Sequence, residues 1–295
     1  MIPGAGRRWP LLLLVVALIV SAGSAQIFTA DAGVRSPELP SVRELVVMRG
    51  YRDATELRAV SELTWSPSTR FETKLEVPFV GRDLEIPAAS GAGFDGSYFA
   101  LGDTVLRGKL ALLRDDDVMR SNRVALLAAV YAPTGEHDRT LGGVRLPRRV
   151  QAGLGGVAGS LGVAGTIVRD RHRASLSAEW LHGAAHDGFE PGDELAVDAA
   201  WWYRLSPGVF DPALPATEYR LVTELRSVHR FADHEGGVRA PDDGLRSEMV
   251  LGLQANTSNQ RLRFEIGAVV PVFEDTPGPL GRFRAGGVVA LTLYF

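Results

Sequence analysis

From Thr55 to Val80 the chain alternates between apolar and polar positions. Leu57, Ala59, Ser61, Leu63 and Trp65 share one parity, and Glu56, Arg58, Glu62 and Thr64 the other. After Ser66-Pro67-Ser68-Thr69 the pattern resumes, with Phe71, Thr73, Leu75, Val77 and Phe79 against Arg70, Glu72, Lys74 and Glu76. A period of two sends successive side chains to opposite faces of a strand, so the stretch predicts a β-hairpin with one greasy and one charged face. Both faces must keep parity in the pairing. Opposite charges attract across a ladder, which predicts Glu62 opposite Lys74 rather than opposite Glu72. The same alternation runs through Phe283 to Phe295, FRAGGVVALTLYF, where Leu293, Leu291 and Val289 line one face.

Segments of about ten residues with this pattern follow one another along the chain, which is the repeated signature of a transmembrane β-barrel. Beyond the hairpin they fall at 43–52, 103–113, 121–132, 149–168, 172–183, 194–205, 218–230, 246–256, 260–272 and 282–295. The fold class predicted is all-β, an antiparallel transmembrane β-barrel of about 12 strands spanning 41–295. Segment 149–168 switches its apolar parity between Leu154 and Leu161, and a bulge near Gly159 accounts for the switch. Connections at 66–69, 169–171 and 257–259 are short. Those at 81–102, 133–148, 184–193, 231–245 and 273–281 are longer and rich in Gly, Pro and Asp. Short periplasmic turns and long outer loops are the barrel asymmetry. The linker 206–217, with three prolines, departs from it.

Residues 1–25 read as a cleaved signal peptide: Arg7 and Arg8, an apolar run from Leu11 to Val20, then Gly23-Ser24-Ala25. That run is too short to span a bilayer, which takes roughly 20 residues. Residues 26–40, with Pro37 and Pro40, read as a periplasmic lead-in. Loss of Arg7 and Arg8 takes the formal charge from −3 to −5. The chain has no Cys, so disulfides and thiolate metal sites are excluded. Its only lysines are Lys74 and Lys109, and no basic block points to nucleic acid.

The charged parity predicts a polar lumen lined by Arg58, Glu62, Lys74, Glu76, Arg107, Lys109, Arg173, Glu179, Arg204, Arg220, Glu224, Arg226, Arg261, Arg263 and Glu265, with Asp198, Glu248 and Arg284. These charges either line a narrow aqueous pore or pair across strands and plug it. Aromatics gather near strand ends, where barrels carry interfacial girdles. Trp65, Phe71, Trp201, Trp202, Tyr203, Tyr219 and Tyr294 fall near one end. Tyr51, Phe79, Tyr131, Trp180, Phe231 and Phe273 fall near the other.

A final strand that stops on Tyr294-Phe295 resembles bacterial outer-membrane β-barrels, in which such a strand is the insertion signal. The resemblance implies the outer membrane as location, with its lipid and the assembly machinery as partners. The stretches Leu75-Glu76-Val77-Pro78-Phe79, Gly102-Asp103-Thr104 and Tyr131-Ala132-Pro133-Thr134-Gly135 resemble the outer-membrane transporters of the phenol-degradation MetA-pathway family. That implies a passive channel for small, often aromatic, solutes.

Enzyme signals are sparse. The sequence holds neither HExxH nor GxSxG, and no cofactor or metal is expected. His182 and His186 flank an outer loop with Asp187, Glu190 and Asp193, which reads as solvated, with a metal site as the lesser alternative. Ser227 and His229 share a strand face, and a Ser–His pair on a barrel is similar to outer-membrane phospholipases. A passive channel is the expectation. An esterase using Ser227 and His229, or a non-conducting barrel presenting its loops, are the alternatives.

Overall fold

The computed structural model describes Ala32 and residues 40–86, 93–117, 120–208, 216–240, 243–259, 261–275 and 280–295. The expected signal peptide and most of the lead-in lie outside these residues. The barrel strands are β1 Ser41–Tyr51, β2 Ala54–Trp65, β3 Phe71–Ile86, β4 Phe94–Leu101 continued by Thr104–Asp117, β5 Arg120–Ala132 and β6 Ala158–Arg169. They go on as β7 His172–Gly183, β8 Glu194–Ser206, β9 Glu218–Arg230, β10 Gly244–Asn256, β11 Leu262–Glu274 and β12 Phe283–Tyr294.

Each strand pairs antiparallel with its sequence neighbour, and β12 returns to β1 from Ser41↔Tyr294 to Gly50↔Ala285. The sheet therefore closes, as an alternating chain with no partner layer requires. The two halves of β4 pair with successive stretches of β3, Glu76↔Val105 below and Phe79↔Leu101 above. They occupy one strand position broken at Gly102-Asp103, which makes twelve positions in all. The outer wall is a belt of exposed Leu63, Leu106, Leu126, Leu161, Leu176 and Leu251. An apolar wall of this extent suits lipid, where only a closed barrel satisfies every backbone group. Ser41 and Tyr294 share one end with the short turns, and the long connections gather at the other.

Three expectations are corrected. The strand expected at 149–168 is only Ala158–Arg169, and its register runs unbroken past Gly159 against both neighbours. Residues Arg148–Val150 instead form a 3-10 turn. Val150 is buried there by packing on a loop core, so its apolar spacing reflects an anchor and not a strand face. The loop expected at 81–102 is largely ladder, because β3 runs to Ile86 and pairs with Phe94–Leu101. The β2–β3 register sets Glu62 opposite Glu76, not Lys74. Lys74 Nζ resolves the clash from a diagonal position, 3.5 Å from Glu62 and 3.4 Å from Glu76.

The shared lysine generates a test. Lys74→Met leaves two facing carboxylates without their common cation, and like charges opposite one another destabilise. The expected loss is about 1–3 kcal/mol, read as a lower urea midpoint in detergent. Glu76→Gln added to Lys74→Met recovers most of it. A double variant no more stable than the single one would refute the coupling.

Candidate functional site

The lumen contains a cavity of about 930 Å³, whose lining runs from Arg173, Arg263 and Tyr294 near the short-turn end to Phe189, Pro191 and Leu280 at the long-loop end. Strand alternation fixes its lining. Along β1, Arg43, Leu45, Val47, Arg49 and Tyr51 face inward, and β2 and β3 add Glu56, Arg58, Val60, Glu62, Lys74, Glu76, Val80 and Arg82. Charged tiers thus alternate with an apolar stripe, of which Leu45, Val47 and Val60 are buried.

The charges pair along and across the lumen. Arg43 lies 3.2 Å from Glu62 and 3.4 Å from Glu265. Lys109 meets Glu72 at 2.8 Å. Arg107 reaches Glu76 on β3 at 2.9 Å and, across the lumen, Glu179 on β7 at 2.8 Å. Its guanidinium also donates to the Tyr131 hydroxyl at 2.9 Å. Arg49 on β1 crosses to Glu248 on β10 at 2.7 Å. Burial of an ion pair costs desolvation that good geometry offsets, so such bridges fix positions more than they add stability. Arg58, by contrast, is exposed within the cavity that it lines.

At the long-loop end, residues 133–157 fold inward over the lumen. The hinge is a cluster of small residues at the β4 break. Gly135 N–H donates to Asp103 Oδ1 at 3.0 Å, and Leu154 N–H to Asp103 Oδ2 at 2.6 Å. Thr134 Oγ1 accepts from Thr104 N–H at 2.8 Å. Gly102 N–H donates to the Pro78 carbonyl at 2.8 Å. A Cβ on Gly135 would lie 2.7 Å from Gly153 Cα and 2.8 Å from the Gly102 carbonyl carbon, so only glycine permits this approach. The three stretches that carried the family resemblance therefore meet at one point.

Beyond the hinge, Leu146 and Val150 pack with Leu84, Phe94, Tyr98 and Leu280. Arg82 donates to the Val150 carbonyl at 2.7 Å and to Glu56 at 2.6 Å, and the Tyr98 hydroxyl also donates to Val150. Arg149 reaches Asp233 of the 231–243 loop at 2.7 Å. That loop also pairs with its neighbour, Phe189↔Glu235 and Glu190↔His234. From the other end, Ala32 is buried beside Ala125 and Ala164, its N–H donating to Thr166 Oγ1 at 3.1 Å. Small residues on β5 and β6 leave the space it fills, so at Ala32 the expected periplasmic lead-in lies within the barrel.

Of the residues expected to line a pore, Arg58, Glu62, Lys74, Glu76, Arg107, Lys109, Arg173, Glu179, Arg226 and Arg263 border the cavity. Glu224 and Glu265 are buried in the inner wall. Arg220 bonds Glu218 at 2.8 Å, and Arg204 bonds the Asp170 carbonyl at the termini rim. Arg261 is exposed in the turn before β11, its N–H held by Asn259 Oδ1. Arg284 is exposed above the bulge at Gly50/Tyr51.

Trp65, Phe71, Trp180, Trp201 and Tyr219 are exposed on the outer wall, and Phe79 stacks there on exposed Phe99. Tyr51, Tyr131, Trp202 and Tyr294 point inward instead. Tyr51 and Tyr131 accept from Arg246 and Arg107. Trp202 and Tyr294 lie under Arg173 and Arg263. Parity, not distance from the strand end, decides which side an aromatic takes. Arg43, Arg49, Glu56, Arg82 and Arg246 were missed. Leu45 and Val47 share a face with Arg43 and Arg49, and Arg82 fell in a presumed loop.

Ser227 and His229 share the outer face. The Ser227 hydroxyl lies 2.9 Å from the Ser247 hydroxyl, and the His229 ring packs edge-on against Phe231. Neither contact activates a nucleophile, which needs its base within hydrogen-bond reach.

The family model described as "Putative MetA-pathway of phenol degradation" matches residues 48–249. Among solved structures, the COG4313 outer membrane channel from Pseudomonas putida F1 aligns with a TM-score of 0.73 at 12% identity, over 92% of this chain and 100% of that one. The NanC porin aligns with a TM-score of 0.48 at 7% identity, over 85% of this chain and 98% of that one. No curated protein matches the chain.

The hinge can be broken without breaking the barrel. Gly135→Val places side-chain carbons where backbone already sits. Residues 133–157 are expected to swing outward and become cleavable by trypsin at Arg139, Arg145, Arg148 and Arg149, while the barrel keeps its heat-modifiable migration. Asp103→Ala strands two inward N–H groups at about 1–3 kcal/mol and acts the same way. Unchanged protease resistance in both variants would remove Asp103 as the anchor.

Proposed function

We propose, for a chain that belongs to the phenol-degradation MetA-pathway family, that it forms a passive channel of the bacterial outer membrane for small, aromatic-sized solutes. The observation that carries this reading is the cavity whose lining reaches from one end of the lumen to the other. Its volume falls in the range of pockets that hold one small organic molecule, roughly 300–1,000 Å³. The mixed lining supports solutes with one apolar face and one polar group. Apolar surface on β1 and β2 takes the first, and the charged tiers take the second. The same lining and the separate contacts of Ser227 and His229 support a role without catalysis.

A second reading has a specific observation in its favour. The bridges Arg107–Glu179 and Arg49–Glu248 cross the lumen and narrow it, as a non-conducting barrel would require. Single-channel recording in planar bilayers separates the two. The channel reading expects measurable conductance that rises in Arg107→Ala, because removing one strap widens the path. Silence in both proteins would favour the non-conducting barrel. Accessibility gives an independent check. Cys at Arg226, which borders the cavity, is expected to react with a small charged thiol reagent in intact outer membranes. Cys at Leu225, exposed on the lipid-facing wall, is expected to stay unlabelled. Equal labelling would refute the facing on which the channel reading stands.

Assembly-machinery recognition of Tyr294 and Phe295 belongs to the same proposal. Phe295 is exposed, and its N–H bonds the Pro40 carbonyl at 3.1 Å. Deletion of Phe295 removes little buried surface. The expected result is low outer-membrane yield in cells with near-normal migration after refolding in detergent. Wild-type yield of the truncated chain would count against the signal.

A further inference from the structure

The long-loop end holds a side-chain cluster that the lumen does not use. His137 follows the Asp103 hinge on the inward-folded loop, and His186 and Asp187 lie between β7 and β8. The two imidazole centroids are 5.6 Å apart and inclined at 74°. His186 Nε2 lies 3.1 Å from Asp187 Oδ2. One donor atom from each of the three residues lies within 4.8 Å of the others.

The backbone is shaped around these rings. A Cβ on Gly155 would lie 2.9 Å from His137 Cδ2, and one on Gly156 would lie 3.2 Å from His186 Cβ. Gly155 thus makes room for the His137 ring, and Gly156 for the Ala184 carbonyl oxygen, 2.8 Å from where a Cβ would sit, and the stem of His186. In metal sites the second nitrogen of a ligating imidazole commonly donates to a backbone carbonyl. His137 Nδ1 already faces the Gly135 carbonyl at 3.4 Å.

We propose that His137, His186 and Asp187 form a binding site for a divalent transition metal of the zinc and nickel class. Two imidazoles and one carboxylate suit those ions, whereas calcium and magnesium favour all-oxygen sets. Donors on one zinc ion sit roughly 3–3.5 Å apart. The His186–Asp187 pair already has that spacing, at 3.1 Å, and small side-chain rotations bring His137, within 4.8 Å of both, onto the same ion. Three protein ligands leave a position for water, which makes the ion exchangeable with the medium. Its two loops are otherwise joined across the mouth by packing and hydrogen bonds, so the bound ion ties residues 133–157 to the β7–β8 connection.

Titration calorimetry of the full-length protein in detergent, with Zn²⁺ alone, tests the site. One equivalent is expected to bind, with affinity lowered at least about tenfold in His137→Ala and in His186→Ala. His182→Ala is the control. It removes an imidazole outside the cluster, paired with Asp193 at 2.7 Å, and is expected to bind as wild type does. A measurement on wild type alone guards against misfolded variants. Zn²⁺ is expected to shield His137 and His186, but not His182, from diethylpyrocarbonate, read by mass spectrometry. The proposal is overturned by no saturable binding, or by binding that both variants retain. It also falls if Zn²⁺ leaves His137 and His186 as reactive as in the metal-free protein.

Discussion

A strand in hydrocarbon has nowhere to place its N–H and C=O groups except on a neighbouring strand, and each unmet group costs several kcal/mol. The pairing of β1 with β12 meets that demand at the seam, from Ser41↔Tyr294 to Gly50↔Ala285. Everything else in the chain accommodates this closure. Once the sheet is closed, parity assigns every side chain to lipid or lumen, and twelve strands set how much room the lumen has. Bulges at Gly50/Tyr51, Ala111/Leu113 and Ser247/Glu248 change parity locally, so that ends of strands can present residues to the mouths.

Enclosure explains the crowd of ion pairs. Inside a ring of strands, Arg, Lys and Glu cannot turn to bulk solvent as they would on a convex surface, so they meet one another. Pairs between adjacent strands, such as Lys109–Glu72, stiffen the wall. Pairs that skip strands, such as Arg107–Glu179 and Arg49–Glu248, take up lumen volume instead. The same kind of contact therefore does two different jobs, depending on how far round the ring its partner lies.

Most of the barrel was legible in the sequence because burial on one face and charge on the other leaves a period of two. Each expected strand has a counterpart, and the misplacements have identifiable physical causes. The Glu62–Lys74 pairing assumed that charges match directly across a ladder, but lysine is long enough to serve two carboxylates diagonally. Tyr51, Tyr131 and Trp202 were assigned by nearness to a strand end, which says nothing about the side they face. Val150 and Ala152 mimicked a strand because a loop that plugs into a small core also needs apolar anchors. His137 and His186 could not be associated from the sequence. Their proximity depends on residues 133–157 folding inward, and that fold is set by Asp103 and three glycines far apart in the chain.

The Asp103 hinge holds its loop almost wholly through backbone: two N–H groups, two glycine contacts, and a carbonyl over a proline. Between Gly135 and Gly153 the intervening side chains are fixed by separate contacts of their own, above all Leu146, Val150 and Gln151. Entrance and wall are thus joined at the Asp103 hinge and at the Leu146–Val150 core, which rests on Leu84, Phe94 and Tyr98 of the wall. Substitutions at exposed positions of this loop, such as Val144 and Arg145, leave every rung of the barrel ladder in place. The shape of the mouth can then change on a scaffold whose closure, strand count and lumen charge stay as they are.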